Sequence, residues 1–325
     1  MRLIRDPLRC GVVLLILAAN AALIHGCGGG GEEARDGSRA ASITILSSSD
    51  MLGRIRSCGC TVKDSGGLGR RATYNERVRR GPREVLVLDA GDAFSQDLAF
   101  TKKEAELAME SYSLMGVDVF TPGENEFIFG LSFLQSVAEN AEFEMIAANV
   151  VEPSTGRPVF GKQYTVINLK GGLRVAITGV LDETIKFPAY IDRSAFNVEE
   201  AEFTLEKVIP LMKEDADFLV LLSHMGISRT RDLLARVKDF DIAVIGHGKP
   251  MIKKTEKVGK TLLLASGGLG QYLGHIDIEL SPSGEMDPGG MRLVHLSDEI
   301  IIHPGIREIF RVYGVPLTDK EAGTH

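Results

Sequence analysis

From residue 43 onward, short apolar runs alternate with stretches whose apolar positions recur every three or four residues. Continuous apolar runs bounded by Gly, Pro, Asp or Asn read as buried strands, and they fall at 43–46, 85–88, 117–120, 145–148, 218–222 and 242–245. Helical spacing covers 68–80, 104–115, 131–138, 200–212 and 230–237. The runs 164–169 and 173–178 flank Gly171-Gly172, which predicts a β-hairpin. Runs at 261–265, 275–280 and 291–295 make a β-rich end, followed by a short helix over 306–313 and a polar tail. Strands that are apolar along their whole length, set between helices, imply a sheet buried on both faces and an α/β fold. No internal repeat is visible.

The first residues obey a different logic. Arg2, Arg5 and Arg9 precede an apolar stretch over 11–24, too short to span a bilayer comfortably, which reads as the core of an export signal. Ile24-His25-Gly26-Cys27 then resembles a bacterial lipobox, in which a small residue precedes an acylated Cys; His25 departs from that pattern. The polar, glycine-rich residues 28–42 suit a flexible tether. The expectation is a lipoprotein signal over 1–27 and a lipid anchor at Cys27. The protein would then be exported and held on the bacterial envelope, with Gly28 pointing to the periplasmic side of the outer membrane. In the mature body only Cys58 and Cys60 remain, a pair that is either disulfide-linked or used chemically.

Composition adds a bound and an exclusion. The 325 residues are 44% apolar and 25% charged, an ordinary globular balance for one large domain or two small ones. A formal charge of −7 lacks the basic footprint of a nucleic-acid binder.

The chemistry is concentrated where strands end. The run 43–46 leads to Asp50-Met51-Leu52-Gly53, and 85–88 leads to Asp89-Ala90-Gly91-Asp92. The run 117–120 leads to Gly123-Glu124-Asn125-Glu126-Phe127, 218–222 to His224, and 242–245 to Gly246-His247-Gly248. In open α/β sheets ligands bind at the carboxyl ends of strands. One such acid or imidazole is most simply a cap or turn residue; a series of them predicts one crevice with oxygen and nitrogen ligands for Mn, Zn, Fe or Ca. His275, His295 and His303 lie on or beside strands and read as packing or surface residues. Walker loops and Gly-x-Ser-x-Gly elbows are absent.

At these residues the chain resembles the 5′-nucleotidase and UDP-sugar hydrolase branch of the calcineurin-like metallophosphoesterases. The family pattern runs Asp-x-His-Gly, Gly-Asp, Gly-Asn-His-Glu, a His, and Gly-His-x-His. Here it reads Asp50-Met51-Leu52-Gly53, Gly91-Asp92, Gly123-Glu124-Asn125-Glu126, His224 and Gly246-His247-Gly248-Lys249. Gly66-Gly67-Leu68 ahead of a helix, and Glu126-Phe127 with Gly130, match as well. The likeness covers about 43–280 and implies a four-layer α-β-β-α sandwich forming a single catalytic-type domain, with 281–325 as a short β/helix extension.

Carried over residue by residue, the resemblance implies a metal site of Asp92, Glu124, His224 and His247, with Glu124 in the Asn position. The family's other site keeps Asp50 and Asp92, while Leu52 and Lys249 occupy its neutral-ligand positions. One divalent ion per chain is therefore expected instead of two, with Asp50 orienting or co-ligating. Asn125 stands where the family has the His that stabilises the leaving group, which implies weak or altered hydrolysis. The family's nucleotidases also carry a large second domain that stacks the base. The residues after 280 are too few for one, so nucleotides are not the favoured substrate.

Cys58-Gly59-Cys60 is an addition, in the loop between Asp50 and Gly66. Two thiols one residue apart chelate a soft metal, form a small and easily reduced ring, or serve as an inert bridge. The chain also resembles, more distantly, bacterial nucleotidase-like lipoproteins in which the first Cys of Cys-Gly-Cys can be selenocysteine; that likeness implies reactive chalcogen chemistry. Three readings follow: a metal-dependent hydrolase of a small phosphorylated or sulfur-containing substrate, a thiol-based redox or metal-handling lipoprotein on the same scaffold, and a non-catalytic binding protein.

Overall fold

The computed structural model describes residues 41–57, 64–281 and 285–318, all within one compact unit. The expected signal with Cys27, residues 28–40 of the expected tether, and the Cys58–Cys60 pair lie outside the described residues, while Ala41 and Ser42, expected to end the tether, belong to the first strand. In chain order the strands are β1 Ala41–Ser48, β2 Glu84–Asp89, β3 Val119–Phe120, β4 Glu144–Met145, β5 Val150–Val151, β6 Tyr164–Asn168, β7 Arg174–Leu181 and β8 Asn197–Val198. They continue with β9 Phe218–His224, β10 Ile242–Gly246, β11 Glu256–Val258, β12 Thr261–Leu264, β13 Tyr272–Leu280, β14 Met286–Pro288 and β15 Arg292–His295. The helices are α1 Leu68–Arg79, α2 Lys102–Leu114, α3 Leu131–Asn140, α4 Ala201–Asp215, α5 Gly226–Arg236 and α6 Pro304–Tyr313. None of these helices is long and apolar enough to cross a membrane.

Two sheets carry the architecture. One runs β14-β13-β1-β2-β3-β4, with β15 also on β13; the other runs β11-β12-β10-β9-β7-β6. Side chains alternate across each strand, so a run that is apolar throughout feeds two cores at once. Ile43, Ile45, Leu86 and Leu88 of the first sheet meet Val220, Leu222, Val244 and Leu264 of the second. The opposite faces take the helices: Leu46, Val85 and Val87 pack under α1, α2, α3 and α6. Leu219, Leu221 and Ala243 pack under α4 and α5. The result is the expected four layers, α-β-β-α.

Local signals explain the helix starts. Thr101 caps α2 in a reciprocal capping box with Glu104, and His303 caps α6 ahead of Pro304. Two segments differ from the periodicity. The apolar run 145–148 pairs as a strand only at Glu144–Met145, because Ala148 N–H turns to the carbonyl of Gly179 at 2.7 Å and so reaches the other sheet. The expected helix over 230–237 begins at Gly226, with only Met225 between it and His224.

Residues after 280 are built into the same unit. β14 and β15 pair with β13, and α6 buries Ile306, Ile309 and Phe310 in the core shared with α1 and α2. The chain beyond α6 returns to the loop after β1, where Arg56 Nε donates to the carbonyl of Pro316 at 3.1 Å. Phe310→Ala is expected to cost about 3–5 kcal/mol of unfolding free energy, the usual cost of emptying a large buried aromatic site, measured by urea denaturation.

Candidate metal centre

The parallel strands β1, β2 and β3 of one sheet and β7, β9, β10 and β12 of the other supply the loops that carry the chemistry. Within the first sheet, the turns after β1 and β2 are tied to each other. Asp50 N–H donates to the carbonyl of Gly91 at 2.7 Å, and Ala90 N–H to that of Ser48 at 2.9 Å. His224, the last residue of β9, reaches the other sheet with Nδ1, 2.6 Å from the carbonyl of Ala90. A carbonyl only accepts, so Nδ1 carries a hydrogen, and Nε2 is the nitrogen turned toward the cluster.

That Nε2 faces two carboxylates, 3.1 Å from Glu124 Oε2 and 3.5 Å from Asp92 Oδ1. His247 Nδ1 lies 3.4 Å from the same Glu124 oxygen; it is buried and makes no hydrogen bond among the described residues. One donor atom from each of Asp92, Glu124, His224 and His247 falls within 4.8 Å of all the others. Asp92 and Glu124 follow β2 and β3, while His224 and His247 belong to the ends of β9 and β10, so both sheets contribute. Two imidazole nitrogens and two carboxylate oxygens are a donor set for a divalent transition ion, and the backbone carbonyl behind His224 is the usual second partner of a metal-binding imidazole. The residues present therefore fit such an ion.

The electrostatics agree. Burial opposes the ionised form of Glu124, yet His224 and His247 outweigh it and hold its pKa below the usual carboxylate range. Burial likewise opposes a cationic His224, but Asp92 and Glu124 lift its pKa well above the ordinary value, and the nearby Glu124 carboxylate raises that of His247. The pocket is built to hold positive charge among its carboxylates.

The backbone around the cluster is strained. Among the described residues, the non-glycine positions in the left-handed region are Asp50, Leu52, Asp92, His247, Lys249 and Leu269. All but the last lie in the sequence motifs, and such strain gathers where surrounding structure enforces it. Glycines allow the close packing: a Cβ on Gly123 would sit 2.4 Å from Asp92 Oδ1 and 2.5 Å from His224 Nε2.

The other expected site residues have different duties. Asp50 is not one of the converging donors. Its buried carboxylate accepts the N–H groups of His247 (3.1 Å) and Lys249 (3.0 Å), so it shapes the loop that presents His247. Burial raises its pKa, against the opposing charge of His224. Asn125 donates its backbone N–H to Asp92 Oδ1 at 3.2 Å, while its side-chain oxygen accepts from Gln96 Nε2 at 2.6 Å. Leu52 offers no donor atom. His275 is tied to Tyr74, Asp277 and Arg292.

Glu126 has a larger part than its place in the motif suggested. Its fully buried carboxylate accepts N–H groups from Asp92 (2.9 Å), Phe94 (2.9 Å) and Gly123 (2.7 Å), tying the turn after β2 to the turn after β3. Burial, with Asp92 beside it, pushes its pKa up. The signal in the sequence is an acidic residue directly before the apolar Phe127-Ile128-Phe129, where a carboxylate drawn into the core needs several hydrogen bonds.

No family model matches the chain. In sequence it is 27% identical over 201 residues to the metallophosphoesterase YunD of Bacillus subtilis, covering 60% of this chain and 42% of that protein. It is 26% identical over 342 residues to the 5′-nucleotidase of Vibrio cholerae, covering 92% of this chain and 60% of that protein. The chain thus spans less than two thirds of either relative. In structure it superposes on the calcineurin-like phosphoesterase YfkN of Bacillus subtilis with a TM-score of 0.71 and 18% identity, over 85% of this chain and 97% of that one. The chain is therefore related in sequence to metallophosphoesterases and 5′-nucleotidases, and it has the calcineurin-like phosphoesterase fold.

Proposed function

We propose that the chain is a metal-dependent hydrolase of small phosphoesters that works with one divalent ion, held by Asp92, Glu124, His224 and His247. The observation that carries this reading is the convergence of those donors within 4.8 Å at the shared edge of two sheets. The names of the sequence relatives support it, and none of those reported is a redox protein. Nothing among the described residues favours the thiol-based alternative. When bound, the ion supplies Lewis acidity and a nucleophile at neutral pH.

The chain's own groups set how well this proceeds. Ala90 and Glu126 orient ligands and do not react. Asp50 fixes the His247 loop. Asn125, buried and hydrogen-bonded to Gln96, carries an amide, which forms hydrogen bonds but does not donate a proton at neutral pH, so turnover on a generic phosphoester should be slow. The reading extends to location: the basic start, the apolar stretch and Cys27 support export and a lipid anchor on the bacterial envelope.

Three measurements test these statements. Purified protein titrated with Mn²⁺ should take up close to one ion per chain, and Asp92→Ala or His247→Ala should abolish uptake; two tightly held ions in a Cys58→Ser/Cys60→Ser variant would refute the single-ion reading. In a turnover assay on p-nitrophenyl phosphate, His224→Ala should be inactive. Asn125→His should raise the rate toward the roughly 10²–10⁴-fold that one acid–base group contributes. A His224→Ala protein as active as wild type would sink the hydrolase reading. Finally, Cys27→Ser should move the protein out of the membrane fraction or stall its processing, and unchanged membrane attachment would remove the anchor.

A further inference from the structure

The chain leaves β10 through three successive left-handed residues, His247, Gly248 and Lys249, with φ of 73°, 81° and 57°. Only the glycine adopts this conformation freely. Asp50 enforces it by accepting both flanking N–H groups, one on each carboxylate oxygen. For His247 the result is a donor atom in the cluster. For Lys249 nothing in the fold accounts for it: the residue is exposed, and its ammonium pairs with no carboxylate among the described residues.

The lysine is nevertheless held in place. Its stem crosses Gly268, where a Cβ would lie 2.3 Å from Lys249 Cγ and 2.9 Å from the carbonyl oxygen of Asp50. The next residue, Leu269, donates its N–H to that same carbonyl at 2.7 Å. The Asp50 turn, the His247–Lys249 turn and the Gly268–Leu269 turn thus form one unit, with the lysine stem packed on Gly268 two residues after His247.

Charge gives this placement a meaning. A divalent ion balances Asp92 and Glu124, and the acid of Asp50 lies close by, accepting the N–H groups of His247 and Lys249. An oxyanion arriving there would meet no net positive charge unless a cation stood beside it. Other cations near these strands are engaged: Arg229 pairs with Asp182 and Glu183, and Arg71 with Asp89. Among the described residues no second group of metal-ligating side chains gathers beside the first.

We propose that Lys249 forms an anion subsite beside the metal cluster, its ammonium contacting the non-bridging oxygens of a tetrahedral oxyanion, both the phosphoryl group of the substrate and the phosphate released from it. The proposal rests on the cluster being the metal site of a phosphoesterase. Lys249 is a binding residue of that site and is not one of its metal ligands.

The test uses the full chain loaded with Mn²⁺ and inorganic phosphate as the probe, followed by calorimetry and by competitive inhibition of turnover. Lys249→Met should weaken phosphate binding roughly 10- to 100-fold and raise KM by a similar factor, the usual effect of removing a charge-assisted contact, with Mn²⁺ stoichiometry unchanged. Lys249→Arg should keep most of the affinity. Lys249→Gly, which suits the left-handed backbone, should lose phosphate binding as Lys249→Met does, separating loss of charge from any change in backbone strain. If Lys249→Met and Lys249→Gly bind phosphate as tightly as wild type, the subsite is overturned while the metal reading stands. A wild-type chain that takes up no Mn²⁺ overturns both.

Discussion

The hydrogen bond from His224 Nδ1 to the carbonyl of Ala90 is the stitch between the two sheets that lies directly behind the ligands, alongside the contacts of Ser49 with the Ile245 carbonyl and of Asp50 with the His247 N–H, over a shared core of apolar side chains. Everything at the site depends on that approach. It brings the end of β9 against the turn after β2, fixes which imidazole nitrogen is free, and sets the distance between ligands from different sheets. The approach is possible because side chains are missing around it. A Cβ on Gly246 would lie 2.2 Å from the Ala90 oxygen, and one on Gly91 would lie 2.5 Å from Gly123 N and 2.9 Å from His224 Nδ1. The glycines of the motifs are thus a packing requirement of the stitch.

Around it the buried carboxylates divide the labour by what they accept. Asp92 and Glu124 face imidazoles. Glu126 and Asp50 accept only from the protein around them, including the backbone N–H groups of the turns that carry the ligands. Asp89 faces the helix side, where it accepts from Ser48, Arg71 and Tyr112 as well as from Gly91 N–H. A buried ion pair such as Arg71–Asp89 adds little net stability against an apolar replacement, but losing one partner leaves an uncompensated charge. Its place directly beneath the Ala90–Asp92 turn makes it a support for the geometry of the stitch.

Much of this was legible in the sequence, for reasons that are local. A strand apolar on both faces declares itself as a continuous run, and a turn that must go left-handed or admit a neighbouring backbone declares itself by glycine. Asp92, Glu124, His224 and His247 were readable as donors because each follows such a strand within a few residues. The run at 145–148 misled because its apolar character serves two sheets in turn, which periodicity cannot distinguish from one longer strand. Asp50 was readable as an acid at a strand end, but its use as an acceptor for the His247–Lys249 turn is a contact across about two hundred positions of chain.

The amino-acid sequence by itself determined the α/β class, the order of strands and helices, and the residue types available at the strand ends, because each of these follows from periodicity and turn chemistry over a few neighbouring residues. Only the tertiary structure decided which of those residues meet. The separation of Asp92 and Glu124, which converge with the two histidines, from Asp50 and Glu126, which hold the turns, depends on angstrom-scale distances between two sheets. The same holds for Lys249, whose stem lies where it does because Gly268, nineteen positions later, leaves room for it. Hydrogen bonds and ligand fields act over a few ångströms, and no pattern along the chain encodes a distance between residues so far apart in it.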